Sequence, residues 1–250
     1  MKKFTLLLLI FGLVLTSCKK EKSEDETDQD LTGLIKTVKM NGSPIVEFSY
    51  YGNRKLKTKK NYQQGSQMTI EYKYADNKLS TQTEKYNGNI IAQYGFEYNN
   101  NRLTRVTIIG ATNTYWEMQY NANGKIDTAI EYISGGESIK HTFTYNGQNL
   151  VEAYKFNRFG SIWELQSHMV FEYDSERNPY YDLNIPFSEV LDEFADFVSP
   201  NNFNRVKKYD QNNTLIEDTQ YNISYNADDY PSHIEEVSGS SQLAYDLIYY

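Results

Sequence analysis

Gln67-Met68-Thr69-Ile70-Glu71-Tyr72-Lys73-Tyr74 places apolar or aromatic residues at its even positions and polar residues at its odd ones. That alternation is the period of a β-strand with one buried face. Ala75-Asp76-Asn77-Lys78 follows, and a second strand opens at Leu79. Asn, Asp and Gly tolerate the left-handed backbone that two-residue hairpins require, so this window reads as strand, tight turn, strand.

The same unit recurs along the chain. Its apolar/aromatic pairs are Phe48/Tyr50, Tyr72/Tyr74, Phe96/Tyr98, Met118/Tyr120, Phe143/Tyr145, Phe171/Tyr173, Ile223/Tyr225 and Leu247/Tyr249, with the second members 24, 24, 22, 25, 28, 52 and 24 residues apart. A period of this size marks a supersecondary unit that cannot bury its apolar face alone and must pack on its neighbours. The residues between the pairs are Ser49, Lys73, Glu97, Gln119, Thr144, Glu172, Ser224 and Ile248, and all but the last are polar. One face of the sheet is therefore core and the other solvent.

Two strands per unit predict an all-β fold: a long antiparallel up-and-down meander of about 14–16 strands. A one-faced sheet of that length must curl into a barrel or flatten onto itself as a sandwich. The period fails once, between Tyr173 and Tyr225. There Phe187, Val190, Leu191, Phe194, Phe197 and Val198 fall at helical spacing, with Ser188 as a candidate N-cap and Pro200 beyond the end. This predicts one short helix near 188–198, either a lid over a cavity or a completion of the core.

At the N-terminus, Met1-Lys2-Lys3 precedes an apolar run from Phe4 to Leu15, closed by Leu15-Thr16-Ser17-Cys18. The run is too short for a membrane-spanning helix but suits a secretion signal. The tetrapeptide resembles the lipobox of bacterial lipoproteins, which implies that 1–17 is a signal peptide and that Cys18 becomes the lipidated first mature residue. Cys18 is the chain's single cysteine, so no internal disulfide can form. Residues 19–30 carry no apolar side chain and read, within 18–33, as a solvated acidic tether of up to roughly 40 Å. The Ser23-Glu24-Asp25-Glu26 run also resembles acidic signals for export to the cell exterior. Loss of Lys2 and Lys3 leaves 23 basic against 33 acidic side chains. That balance argues against nucleic acid as a partner.

Tyr120-Asn121-Ala122-Asn123-Gly124-Lys125-Ile126 and Phe171-Glu172-Tyr173-Asp174 resemble the tyrosine-aspartate repeats of secreted Rhs-type and teneurin-type shells. The aspartate is kept at Asp174 and replaced by Asn99, Asn121, Asn146 and Asn226, and the chain is far shorter than such a shell. With the lipobox, the tether, Asn178-Pro179 and Ser199-Pro200-Asn201-Asn202, the whole is more similar to a family of uncharacterised Gram-negative lipoproteins described as porin-like in fold. That resemblance implies a barrel-like meander over 34–250 as a single domain, and brings no activity or ligand with it.

Catalytic constellations are absent from the linear sequence. No Gly-x-Ser-x-Gly elbow or phosphate loop occurs, and His141 and His168 in strands and His233 in a turn are too scattered to predict a metal site or cofactor. Trp116 and Trp163 share the inward parity and read as core. Tyr51, Tyr115, Phe159, Tyr180 and Tyr181, at turns or outward parity, are the candidate ligand-binding aromatics. The resulting expectation is a lipid-anchored outer-membrane protein, facing either side, that is not an enzyme. Its role is binding or structural, its partners being the membrane and a polysaccharide or an envelope protein. The alternative is a glycan-acting hydrolase whose carboxylate pair meets only in the fold.

Overall fold

The computed structural model describes residues 30–63, 65–188 and 191–250; the expected signal peptide, Cys18 and most of the tether lie outside them. The first eight strands are β1 (Ile35–Met40), β2 (Ser43–Tyr50), β3 (Leu56–Gln63), β4 (Ser66–Ala75), β5 (Lys78–Tyr86), β6 (Asn89–Asn99), β7 (Arg102–Ile108) and β8 (Tyr115–Tyr120). The rest are β9 (Ile126–Ile133), β10 (Gly136–Asn146), β11 (Asn149–Phe159), β12 (Ile162–Arg177), β13 (Asn201–Asp210), β14 (Leu215–Tyr225), β15 (Pro231–Ser238) and β16 (Ser241–Tyr249). Each pairs antiparallel with its sequence neighbour, and β1 pairs with β16, closing one barrel of 16 strands. Closure removes the sheet edges that an open meander would expose. Of the two architectures the sequence allows, the barrel is the one formed.

The recurring Tyr has a structural reason. In β2, β4, β6, β8, β10 and β14 the register against the next strand shifts at that residue, so the tyrosine sits at a β-bulge beside the turn. Its hydroxyl reaches back to the preceding unit. Tyr50 donates to the Ile35 carbonyl at 2.7 Å, Tyr120 to Leu103 at 2.7 Å, Tyr173 to Leu150 at 2.6 Å and Tyr249 to Pro231 at 2.8 Å. The basic residue after each turn then lies over the ring of the next unit: Lys55 on Tyr74, Lys78 on Tyr98, Arg102 on Tyr120 and Lys125 on Tyr145, 4.8–5.4 Å from the centroid. The turns Asp76-Asn77 and Asn100-Asn101 take positive φ at both residues. That is the type I′ geometry whose twist matches the strands.

The outer wall is polar and cross-linked by charge. Lys85–Glu71, Arg105–Glu117, Arg158–Glu137, Arg205–Asp218 and Lys207–Glu172 pair between adjacent strands. A lipid-facing barrel carries an apolar band there, which these ion-paired positions do not supply.

Between β12 and β13 the chain leaves the wall and enters the lumen. It forms a 3-10 turn (Tyr181–Leu183) and a helix, α1 (Leu191–Val198). Helix and strand count match the sequence expectation. The Ser188 hydroxyl donates to the Glu193 carboxylate at 2.7 Å. The neck of the excursion is tied shut by buried Asn178, whose side-chain amide donates to the carbonyls of Asp196 and Ser199, while its backbone N–H donates to Pro200. Phe187, Phe194 and Ala195 join the apolar cluster built on β7–β13. Leu183, Ile185 and Phe197 join the second, built on β1–β5 and β16. The segment is thus a plug that knits the two cores together at the barrel end where the anchor tyrosines lie.

Two assignments from the sequence need correction. Trp163 is on the outer wall, under Lys140 and Arg158 at 4.8 and 5.1 Å. A register shift between Lys155 and Phe156 flips the alternation of β12 before Ser167, so Leu165 and Trp163 face outward while Met169 and Phe171 face inward. His233 lies within β15 rather than a turn, and its Nδ1 is 2.8 Å from Asp246.

Candidate functional site

The plug fills one half of the lumen and leaves space in the other. Two adjoining cavities of about 270 and 460 Å³ share Asn61, Glu193 and Phe197. Volumes of this order suit a small-molecule ligand. The smaller is lined on the strand side by Met68, Tyr72, Gln82, Glu84, Tyr94 and Trp116. The larger runs past Val46, Phe48, Tyr180, Tyr221, Ile234 and Tyr245. Apart from Tyr180 of the plug, these are inward-facing positions of the alternation, yet Asn61, Met68, Gln82, Tyr94, Tyr221 and Tyr245 are only half-buried. The lumen therefore communicates with solvent.

The polar centre of this space is Lys59. Its Nζ is 2.6 Å from Glu193 Oε1, bridging β3 to α1. Burial pushes the Glu193 carboxyl up, but the Lys59 charge and the hydrogen bonds from Lys59 and Ser188 outweigh it, so the group is held below its ordinary value. Glu193 is an anchored carboxylate, not a proton donor at neutral pH. Asp196 lies one turn further along α1 and borders the larger cavity with Asn202. Together they present a small polar set on aromatic walls, able to orient a ligand through hydrogen bonds and ring contacts.

On the β8–β11 side the inner wall is unusually polar beneath the plug. Trp116, 5.1 Å from His141 between ring centroids, also meets Phe187 at 5.5 Å. The indole N–H of Trp116 and both ring nitrogens of His141 are buried with no hydrogen-bond partner. Burial, with Lys155 adding to it, drives the His141 pKa down to about 3. The imidazole is neutral.

The five aromatics singled out in the sequence do not form one patch. Tyr51 is at the turn after β2, its ring edge-on to Tyr74 and its hydroxyl donating to the Tyr72 carbonyl at 3.0 Å. Tyr115 stacks on Tyr132 on the outer wall, 4.8 Å apart. Phe159 is exposed at the β11–β12 tip, and Tyr181 is exposed at the plugged end. Tyr180 is half-buried, because it starts the plug and packs edge-on against Phe48; it lines the larger cavity. Lys59 and Asn61 were missed. The signal was present: after Leu56, β3 offers no apolar residue opposite Phe48 or Ile70, which a strand facing a filled core would need. Among the described residues no group of three or more His, Cys, Asp or Glu is placed to hold a metal ion.

No protein-family model matches the chain, and no curated protein does. Among solved structures, the chain is similar to a porin-like protein from Bacteroides uniformis ATCC 8492, at 10% identity and a TM-score of 0.49 over 89% of this chain and 99% of that one. It is also similar to a porin-like protein from Bacteroides vulgatus ATCC 8482, at 11% identity and a TM-score of 0.44 over 87% of this chain and 99% of that one. At such identities and scores nothing about activity follows, and the barrel stands on its own strand pairing.

Proposed function

We propose that this protein is a non-enzymatic binding protein of the cell envelope whose half-open lumen holds a small amphipathic ligand. The observation that carries the reading is the pair of joined cavities above the plug, apolar and aromatic on their walls and polar at Lys59, Asn61 and Glu193. Enclosure by aromatic side chains with a few convergent polar groups is the usual make-up of a small-molecule site. A hydrolase of the paired-carboxylate type needs one carboxylic acid kept protonated by its surroundings. Glu193, held ionised by Lys59, cannot be that acid, and the enclosed aromatic lining supports binding. The lipobox-like Leu15-Thr16-Ser17-Cys18 supports tethering of the barrel to an outer membrane through a lipidated Cys18. A polysaccharide fragment or an envelope protein's side chains remain the natural sources of a ligand.

Binding of N-phenyl-1-naphthylamine, a neutral aromatic probe, followed by its fluorescence, tests the site. Ile234→Trp, which fills the larger cavity, is expected to weaken probe binding at least tenfold, and Val46→Phe to do so in part. Equal binding by both filled variants would place the probe elsewhere and remove the lumen as the site.

A further inference from the structure

The two ends of the barrel differ in a way that the lumen does not explain. At the end away from the plug, large apolar side chains stand exposed on the hairpin tips: Tyr86, Ile90 and Ile91 at β5–β6, Ile109 after β7, and Ile133 at β9–β10. The ring continues with Phe159 and Ile162 at β11–β12, Leu215 and Ile216 at the start of β14, and Leu243 in β16. Six of the eight hairpins at this end contribute. Ile90, Ile91, Ile162 and Ile216 each leave more than half of their surface in solvent, at 56–58%. Three turns at this end, Asn87-Gly88-Asn89, Ser134-Gly135-Gly136 and Ser238-Gly239-Ser240-Ser241, carry no charge, and the β13–β14 turn carries Asp210. Those at the plugged end carry Arg54, Lys55, Asp76, Lys78, Arg102 and Lys125.

Behind the aliphatic ring the outer wall has a belt of amphipathic aromatics: Tyr62, the stacked Tyr115–Tyr132 pair, Trp163 and Tyr209. The ion pairs Arg105–Glu117, Arg205–Asp218 and Lys207–Glu172 follow behind them, while Lys85 stands across the ladder from Ile90 and the Arg158–Glu137 pair lies beside Trp163 and Tyr132 within the belt. Aliphatic tips backed by tyrosine and tryptophan, with long basic side chains among them, are the side chains that a bilayer interface selects. We infer that the open end of the barrel docks on a lipid surface, the aliphatic tips entering the acyl boundary and the aromatic belt lying among the headgroups. A protein partner would be served by one continuous groove, whereas these side chains are separate points spaced around a mouth. The described chain enters the barrel at the plugged end, where Arg54 donates to the Asp30 carbonyl at 2.5 Å. A tether of up to roughly 40 Å exceeds the ~33 Å of a ten-residue strand. A lipidated Cys18 and the open rim can therefore engage the same membrane.

The strands from Ile35 onward close the barrel, and both cores lie within it, so the chain from residue 30 on suffices for the test. Co-flotation with phosphatidylcholine vesicles is expected for this barrel without any lipid anchor. The combined variant Ile90→Ser, Ile91→Ser, Ile162→Ser and Ile216→Ser is expected to lower the partition coefficient about 100-fold at an unchanged melting temperature. Should that variant melt early, Ile91→Ser with Leu215→Ser, expected to lose about tenfold, carries the test. Failure of the unaltered barrel to float, or undiminished flotation of the variants, overturns the inference. So does a vesicle-free dimer that the substitutions dissolve, which would assign the ring to a second copy of the chain.

Discussion

At the scale of single residues, Tyr50, Tyr120, Tyr173 and Tyr249 use both halves of the side chain. The ring covers the core near the hairpin end, and the hydroxyl closes a carbonyl one unit back, as Tyr120 does for Leu103. Phenylalanine would leave that carbonyl open. The buried face could be read in advance because the alternation leading up to the recurring tyrosines is uninterrupted, whereas the bulge beside Tyr50, Tyr74 and Tyr98 left no mark in the pattern. His141 follows a different logic. It is 2% exposed with both nitrogens unpartnered, so it contributes volume and pays a desolvation cost. Burial holds its folded-state pKa at about 3, below the ~6.5 of an unfolded histidine. The folded form thus excludes a proton that the unfolded chain accepts. The stability present above pH ~6.5 is lost as pH falls towards 3, by up to about 1.4 kcal/mol per pH unit. His141→Leu is expected to abolish that part of the acid slope and to stabilise the protein by about 1–3 kcal/mol at neutral pH. Urea denaturation at pH 7 and pH 5 checks both; a variant less stable at either pH would show that the imidazole has a partner.

At the scale of elements, the hairpins and the plug were legible to different degrees. The hairpins followed from period two and Asn/Asp/Gly turns, and α1 from the apolar spacing of 187–198. Trp163 was misplaced because a bulge adds one residue to a strand without leaving a mark in the apolar pattern, and everything beyond it changes face. The tie at Asn178 was likewise hidden, since its partners are backbone carbonyls 18 and 21 residues away. Phe194 is the centre of the plug: it is 0% exposed, with its ring 4.7 Å from Phe143 and 5.6 Å from Phe187. Phe194→Ala is expected to cost about 3–5 kcal/mol in denaturant unfolding. A loss below about 1 kcal/mol would mean that the plug contributes little to the cores it joins.

At the scale of the whole molecule, a barrel of 16 strands encloses more space than its own inward side chains can fill. The plug occupies one end, and what remains is the candidate site. The all-β meander was readable from the chain because local alternation and turn chemistry agree at nearly every unit. The lumenal site was not, because Lys59, Asn61 and Glu193 come from β3 and α1, more than 130 residues apart, and meet through the ion pair between positions 59 and 193. The account depends on the plug being a permanent part of the core, with the lumen beside it as the binding space. Hydrogen exchange on the native protein with and without N-phenyl-1-naphthylamine measures this directly. Amides of 191–198 are expected to exchange as slowly as those of β10–β12 and to be unchanged by the probe, while β2, β3 and β16 gain protection. Fast exchange at 191–198 that slows only when the probe is bound would contradict the account and make the segment a lid.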